Sequence, residues 1–170
     1  TYLCQKKPEW ASKLISDLAN YLRYSFDFES LTHIISIEKE LKLVDFYINI
    51  QQARFPDKIE LKYNFESDLN FGVPPLILQA LVENAVKHGI LPKEEGGIIK
   101  ITIKKKTDYY IILVADKGRG MTEEEWDSLF DKEQEIDNEV HIGLKNINRR
   151  LKKLYNQELE IESSYGQGTT

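Results

Sequence analysis

The 170 residues include one cysteine, one methionine, two tryptophans and five prolines. A lone thiol, Cys4, excludes an intramolecular disulfide and any multi-cysteine zinc site, and it fits a reducing, cytosolic compartment. No run approaches the roughly 18 apolar residues of a membrane span, and no signal-peptide pattern opens the chain, so no direct membrane contact is expected. Positive charge is not in excess: 23 basic residues face 28 acidic ones, for a net charge of -5. Sequence-independent nucleic-acid binding needs a dominant positive field, so nucleic acid is not an expected partner. Repeats of fixed period and a Pro/Gly/Ser-rich linker are lacking too. Apolar residues make up 41% and aromatics 11%, enough to bury a continuous core without staples. The chain starts with Thr rather than Met, which predicts a piece of something longer.

Periodicity predicts the elements. Pro8 to Phe26 reads as a helix with Ala11, Leu14, Ile15, Leu18, Tyr21, Leu22 and Ser25 on one stripe. A second helix is expected from a Ser36 cap, with Glu38 and Glu40 in its first turn and an end near Phe55-Pro56. The period then drops to two: Ile59, Leu61, Tyr63 and Phe65 alternate with polar residues, as in a half-buried strand. Pro74-Pro75 opens a third helix that Gly89 stops. Ile99, Ile101 and Ile103 mark a strand, the apolar run Tyr109 to Ala115 marks another, and Thr107-Asp108 is the turn between them. Residues 117–142 are irregular apart from a helical piece at Glu123 to Phe130, and they carry an acidic run from Asp131 to Glu139. A fourth helix carries Leu144, Ile147, Leu151 and Leu154, and a last strand alternates Leu159, Ile161 and Ser163. The hairpin forbids an all-parallel sheet. The expected fold is α/β, a two-layer sandwich of a mixed sheet on helices, preceded by an N-terminal helix.

Three polar clusters and a glycine-rich end interrupt these elements. Glu83-Asn84-Ala85-Val86-Lys87-His88-Gly89 places Asn84 and Lys87/His88 on one helical face. An amide oxygen beside a cation suits Mg²⁺ plus phosphate, although in isolation the cluster reads first as a solvated helix end. Asp116-Lys117-Gly118-Arg119-Gly120-Met121 follows the most apolar strand. There a carboxylate can accept from an amino group while two glycines let backbone approach a flat ligand. Ile142-Gly143-Leu144 puts a glycine at a helix start, where free amides and the dipole attract phosphate. Gly166-Gln167-Gly168-Thr169-Thr170 closes the chain.

In this order and on these elements, the clusters resemble the ATP-binding domain of the gyrase, heat-shock chaperone, histidine kinase and MutL superfamily, the Bergerat fold. Asn84 matches its metal-binding asparagine, Asp116-x-Gly118-x-Gly120 its first glycine box, Gly143-Leu144 its second and Gly166-x-Gly168-Thr169 its last. More narrowly the chain is similar to LytS/YesM-type sensor histidine kinases. The stretches that carry this are Leu22-Arg23-Tyr24-Ser25, Glu38 to Tyr47, Arg54-Phe55, Val73-Pro74-Pro75-Leu76, Leu81 to Ala85, Gly143 to Ile147 and Arg150-Leu151.

The resemblance implies ATP and Mg²⁺ as cofactors. Asp116 would accept from the adenine amino group with Thr169 nearby, and Asn84 would hold the magnesium. Lys87 and His88 would face the phosphates, and Gly118, Gly120, Met121, Gly143 and Leu144 would complete the site beneath a lid over roughly residues 121–142. It implies phosphoryl transfer to a histidine upstream of Thr1 and then to a response regulator. The parent would be a homodimer and a membrane-anchored sensor of which this is the cytoplasmic part. Residues 1–35 would end the dimerisation and phosphoacceptor region and 36–170 would form the ATP-binding domain. Superfamily members that hydrolyse ATP carry a glutamate one helical turn before the metal asparagine; that position is Ala80 here, which favours transfer over hydrolysis. Glu83 sits about 100° around the helix from Asn84 and does not replace it. Glu139 and His141 stand where many kinases have glycines. That thin second box and the acidic lid motivate the alternative of a non-catalytic, nucleotide-gated interaction module of the same fold. His33, His88 and His141 all lack the context of a phosphoacceptor.

Overall fold

The computed structural model describes residues 7–26, 34–66, 68–130 and 139–170, with 127–130 and 139–142 as backbone alone. In chain order the elements are α1 (Pro8–Phe26), β1 (Ile35–Ser36), α2 (Ile37–Arg54), β2 (Ile59–Phe65), β3 (Gly72–Val73) and α3 (Ile77–Asn84), which runs on as a π-helical stretch, Ala85–Ile90. Then come β4 (Gly97–Lys105), β5 (Tyr110–Asp116), α4 (Glu123–Phe130), α5 (Glu139–Tyr155), β6 (Ser163–Ser164) and β7 (Gly168–Thr169). Among the described residues no helix is long and apolar enough to cross a membrane. Cys4, His33, the acidic run over 131–138 and the side chain of His141 lie outside the described residues.

The chain divides into two compact units, one reaching Asp57 and including Leu69–Gln79, the other made of Lys58–Asp68 and Ala80–Thr170. In the first, α1 and α2 pack antiparallel. Asn49 Nδ2 donates to Asp17 Oδ2 at 3.0 Å, and the Tyr21–Tyr47 and Tyr24–Phe46 rings meet at 6.2 and 5.8 Å. The packed face of α1 therefore includes buried Asp17, not the whole apolar stripe. Ile15 is 64% exposed and Leu22 44%, so only part of the stripe that Ala11 marks is covered. Ser36 occupies the N-cap of α2, but its side chain makes no capping bond. The amide of Ile37 donates to the Phe71 carbonyl at 3.1 Å, beside the antiparallel β1–β3 pair.

The second unit holds a five-stranded sheet in the order β2-β4-β5-β7-β6, with β2 and β4 parallel and the remaining neighbours antiparallel. The sheet is mixed, as the hairpin requires, and it packs against helical elements. Lys106 N–H to Tyr109 O at 2.8 Å closes that hairpin at Thr107-Asp108. Ile99, Ile101 and Ile103 alternate inward along β4 and are fully buried. Two sequence expectations need correction here. The last strand is confined to Ser163–Ser164, with Glu162 and Thr170 exchanging backbone bonds at 2.8 Å just before it; Leu159 to Ile161 line a cavity instead. And α5 begins at Glu139, so Gly143 lies inside the helix, where its N–H is no longer one of the free donors of a helix start.

Candidate functional site

β5 ends in Asp116, and this carboxylate organises one wall of a cavity of about 370 Å³. Ladder pairing with Ile99 on one side and Thr169 on the other fixes its backbone. It is 7% exposed. Gly118 N–H donates to its Oδ1 at 2.8 Å. Burial pushes the carboxyl above the ordinary range, while the amides of Gly118 and Thr169 draw it partly back.

Close backbone approach makes this possible, and glycine makes the approach possible. A Cβ on Gly89 would lie 2.5 Å from Asp116 Oδ1. A Cβ on Gly118 would strike the Gly89 backbone, and one on Gly168, at φ 101°, would strike the Asp116 carbonyl. Arg119 N–H then bonds to Gly89 O at 2.9 Å, locking the turn after β5 to the end of the π-helical stretch. Gly89, read from sequence as a helix stop, is thus a member of the Asp116 site. Its signal was missed because a glycine at a helix end has a sufficient local explanation.

Asn84 ends α3 on the same cavity. Its Nδ2 is buried and finds no hydrogen-bond partner among the described residues, and a Cβ on Gly143 would come within 3.5 Å of it. The π-helical stretch, with Leu91 N–H reaching Val86 O at 2.9 Å, widens the turn that follows. Its register brings His88 to the cavity wall along with Asn84. Lys87 is not among the lining residues; its Nζ pairs with Glu83 at 2.6 Å. Gly120, Met121, Leu144 and Thr169 also line the cavity. Apolar walls come from residues that sequence reasoning had not placed there: Leu81, Ile112, Leu113, Val114, Leu159 and Ile161.

The mouth carries an ion pair, Arg119 Nη2 to Glu125 Oε1 at 2.7 Å. Glu125 also accepts from Thr122 N–H at 2.9 Å while its own N–H donates to Thr122 Oγ1 at 3.2 Å, a capping box that starts α4. Partial burial raises the Glu125 carboxyl, but the bonds from Arg119 and Thr122 outweigh this and hold it below the ordinary range. Ser163 Oγ accepts from Met121 N–H at 3.0 Å and lies 2.9 Å from Thr169 Oγ1, tying the turn to β6 and β7.

The donor set can be tested against a magnesium nucleotide. A carboxylate in a slot without side chains suits an amino-bearing flat ring, and the apolar wall suits its faces. Asn84 offers a buried carboxamide whose amino end is uncommitted, and its oxygen is a hard ligand of the kind magnesium takes singly beside waters and phosphate oxygens. Among the described residues no cluster of three or more His, Cys, Asp or Glu could hold a metal.

Comparison with known proteins assigns the class. Residues 75–170 match the family of histidine kinase-, DNA gyrase B- and HSP90-like ATPases, and residues 1–59 match the histidine kinase family. The chain belongs to that ATPase family, in its histidine kinase branch. It is 40% identical over 163 residues to the YwpD protein of Bacillus subtilis, covering 95% of this chain and 57% of that one. It is 36% identical over 154 residues to the sensor histidine kinase YpdA of Escherichia coli (91% of this chain, 26% of that one). The sensor histidine kinase/phosphatase LytS of Staphylococcus aureus is 32% identical over 165 residues (95% and 28%). The chain thus spans little more than half of the first relative and about a quarter of the other two. The catalytic domain of the histidine kinase ThkA shares the fold at a TM-score of 0.58, with 17% identity over 81% of this chain and 90% of that one.

Proposed function

We propose that this chain is the ATP-binding catalytic part of a two-component sensor histidine kinase. It would bind Mg-ATP and pass the γ-phosphoryl group to a histidine upstream in the parent chain, from which a response regulator receives it. The observation that carries this is the buried Asp116 carboxylate in its glycine slot, sharing one cavity with Asn84, whose Nδ2 has no partner among the described residues. Asp116 accepts from the adenine amino group, with the Thr169 hydroxyl beside it. Asn84 supplies a metal ligand, His88 reaches the phosphate region from the cavity wall, and Gly143 leaves space next to Asn84. Magnesium, when bound, neutralises charge on the phosphates; the protein otherwise positions groups. Lys87 joins the phosphates by exchanging its Glu83 partner for them.

The parent is a homodimer and a membrane-anchored sensor whose cytoplasmic portion includes these residues. Residues 1–35 belong to its dimerisation region and 36–170 to its ATP-binding domain. Family membership and the sensor kinases among the relatives support this reading.

Labelled ATP tests it. The chain is mixed with a separately made segment of the parent carrying the upstream helix. Acid-labile label on a histidine of that segment, lost in Asp116→Ala, is the expected result. Tight ATP binding with no transfer would instead make the chain a nucleotide-gated interaction module. In Asn84→Ala, ATP affinity becomes the same with magnesium as with chelator; retained magnesium dependence would move the metal elsewhere.

A further inference from the structure

A charged side chain that plays no part in the cavity is wholly buried in the first unit. Glu40, in the first turn of α2, has 0% of its surface exposed. A buried carboxylate is costly unless hydrogen bonds compensate it. Its partners are the amides at the start of α3. Leu76 N–H donates to Oε1 at 2.6 Å, and Leu78 and Gln79 N–H donate to Oε2 at 2.9 and 3.3 Å. These are donors that a helix start leaves without intrahelical acceptors, and the carboxylate meets the positive end of the helix dipole.

The helix depends on this cap. α3 has no acidic residue in its own first turn, so the carboxylate there comes from Glu40. Leu76, just before it, sits at φ 62°, a left-handed conformation that costs a leucine free energy. The bond from its amide to Glu40 holds it there. Seven residues after Ile77 the same helix ends in Asn84.

We propose that Glu40 is a positioning residue for Asn84: by capping the first turn of α3 it keeps that helix wound as far as its last residue, the asparagine. Unwinding of its turns would free the asparagine carboxamide from the geometry the helix imposes. The role of Asn84 rests on the function proposed above; the cap does not.

The test compares Mg-ATP, ATP with chelator, and adenosine as ligands of the 170-residue chain. Glu40→Gln keeps the size of the side chain but turns one acceptor into a donor facing an amide. It is expected to bind adenosine within about twofold of wild type while the advantage given by magnesium falls roughly tenfold, the scale on which supporting partners tune metal sites. An unchanged magnesium advantage overturns the proposal, as does an equal loss for adenosine and Mg-ATP. If the unmodified chain binds none of the three, the functional reading fails, and amide hydrogen exchange decides the cap. Faster exchange through Leu81–Asn84 in Glu40→Gln then supports it, and unchanged exchange overturns it. If the variant does not fold, exchange in the unmodified protein decides. Leu76, Leu78 and Gln79 amides opening only with global unfolding support the cap, and early exchange there overturns it.

Discussion

Asp116 is a buried carboxylate whose proposed binding role and whose cost to folding pull in opposite directions. Its carboxyl is raised by burial, so the folded chain holds that proton more tightly than the unfolded chain. The associated stability is present below the unfolded value, in the ordinary carboxyl range, and is lost as pH rises through the raised folded value. The stability gap between wild type and Asp116→Asn is therefore expected to move in favour of the variant over that interval. Denaturant midpoints at several pH values check this, and a gap independent of pH would contradict it. Asp116→Ala should weaken nucleotide binding by roughly 1.5–3 kcal/mol, the scale of a hydrogen bond to a charged group. Titration calorimetry that found unchanged affinity would remove the adenine role. The glycines nearby differ in kind. Gly89→Ala drives a methyl to 2.5 Å from Oδ1 of a short, buried side chain, so adenosine affinity should fall as far as in Asp116→Ala. Gly143→Ala meets Asn84 at 3.5 Å, an ordinary contact, inside a helix. That substitution should raise thermal stability by about 0.5–1 kcal/mol and leave adenosine binding intact.

Among the elements, α4 shows a local rule at work. Thr122 and Glu125 cap it reciprocally, and Trp126 N–H reaches Thr122 O at 2.9 Å to close the first turn. Thr122→Ala should cost about 1 kcal/mol of local stability, seen as faster exchange of the Trp126 amide, while exchange along β4 stays as it was. The same locality explains which elements were legible in the sequence. α1, α2, α4, β2 and the Thr107-Asp108 hairpin follow from period and punctuation, and they stand where those signals put them. The misses are tertiary. The packed face of α1 contains Asp17 because Asn49 is there to meet it. The Ile37 amide at the start of α2 is met by the Phe71 carbonyl, which is distant in sequence. The π-helical stretch, which brings His88 to the cavity and leaves Lys87 with Glu83, has no signature in a residue pattern. In the site, Asn84, Asp116 and the glycines after it were legible as polar interruptions of apolar elements. Leu159 to Glu162 were not, since their alternation describes a strand as well as a cavity wall.

For the whole molecule the decisive quantity is the coupling of ligand to folding. A ligand that binds the folded chain alone adds RT ln(1 + [L]/Kd), about 2.7 kcal/mol at a hundred times Kd. For a chain of 150–250 residues each kcal/mol moves the midpoint by roughly 2–4 °C, so Mg-ATP should raise it by about 5–10 °C. The cavity is lined by residues of one unit, Lys58–Asp68 with Ala80–Thr170. A calorimetric trace that resolves two transitions should therefore shift in the one reporting that unit. Chelator should shrink the shift by the share that Asn84 and the metal contribute, and Asp116→Ala should shrink it further. The order of these losses carries the information. Equal shifts with and without magnesium would leave Asn84 no metal to hold, and a shift preserved in Asp116→Ala would put the nucleotide somewhere other than the tip of β5.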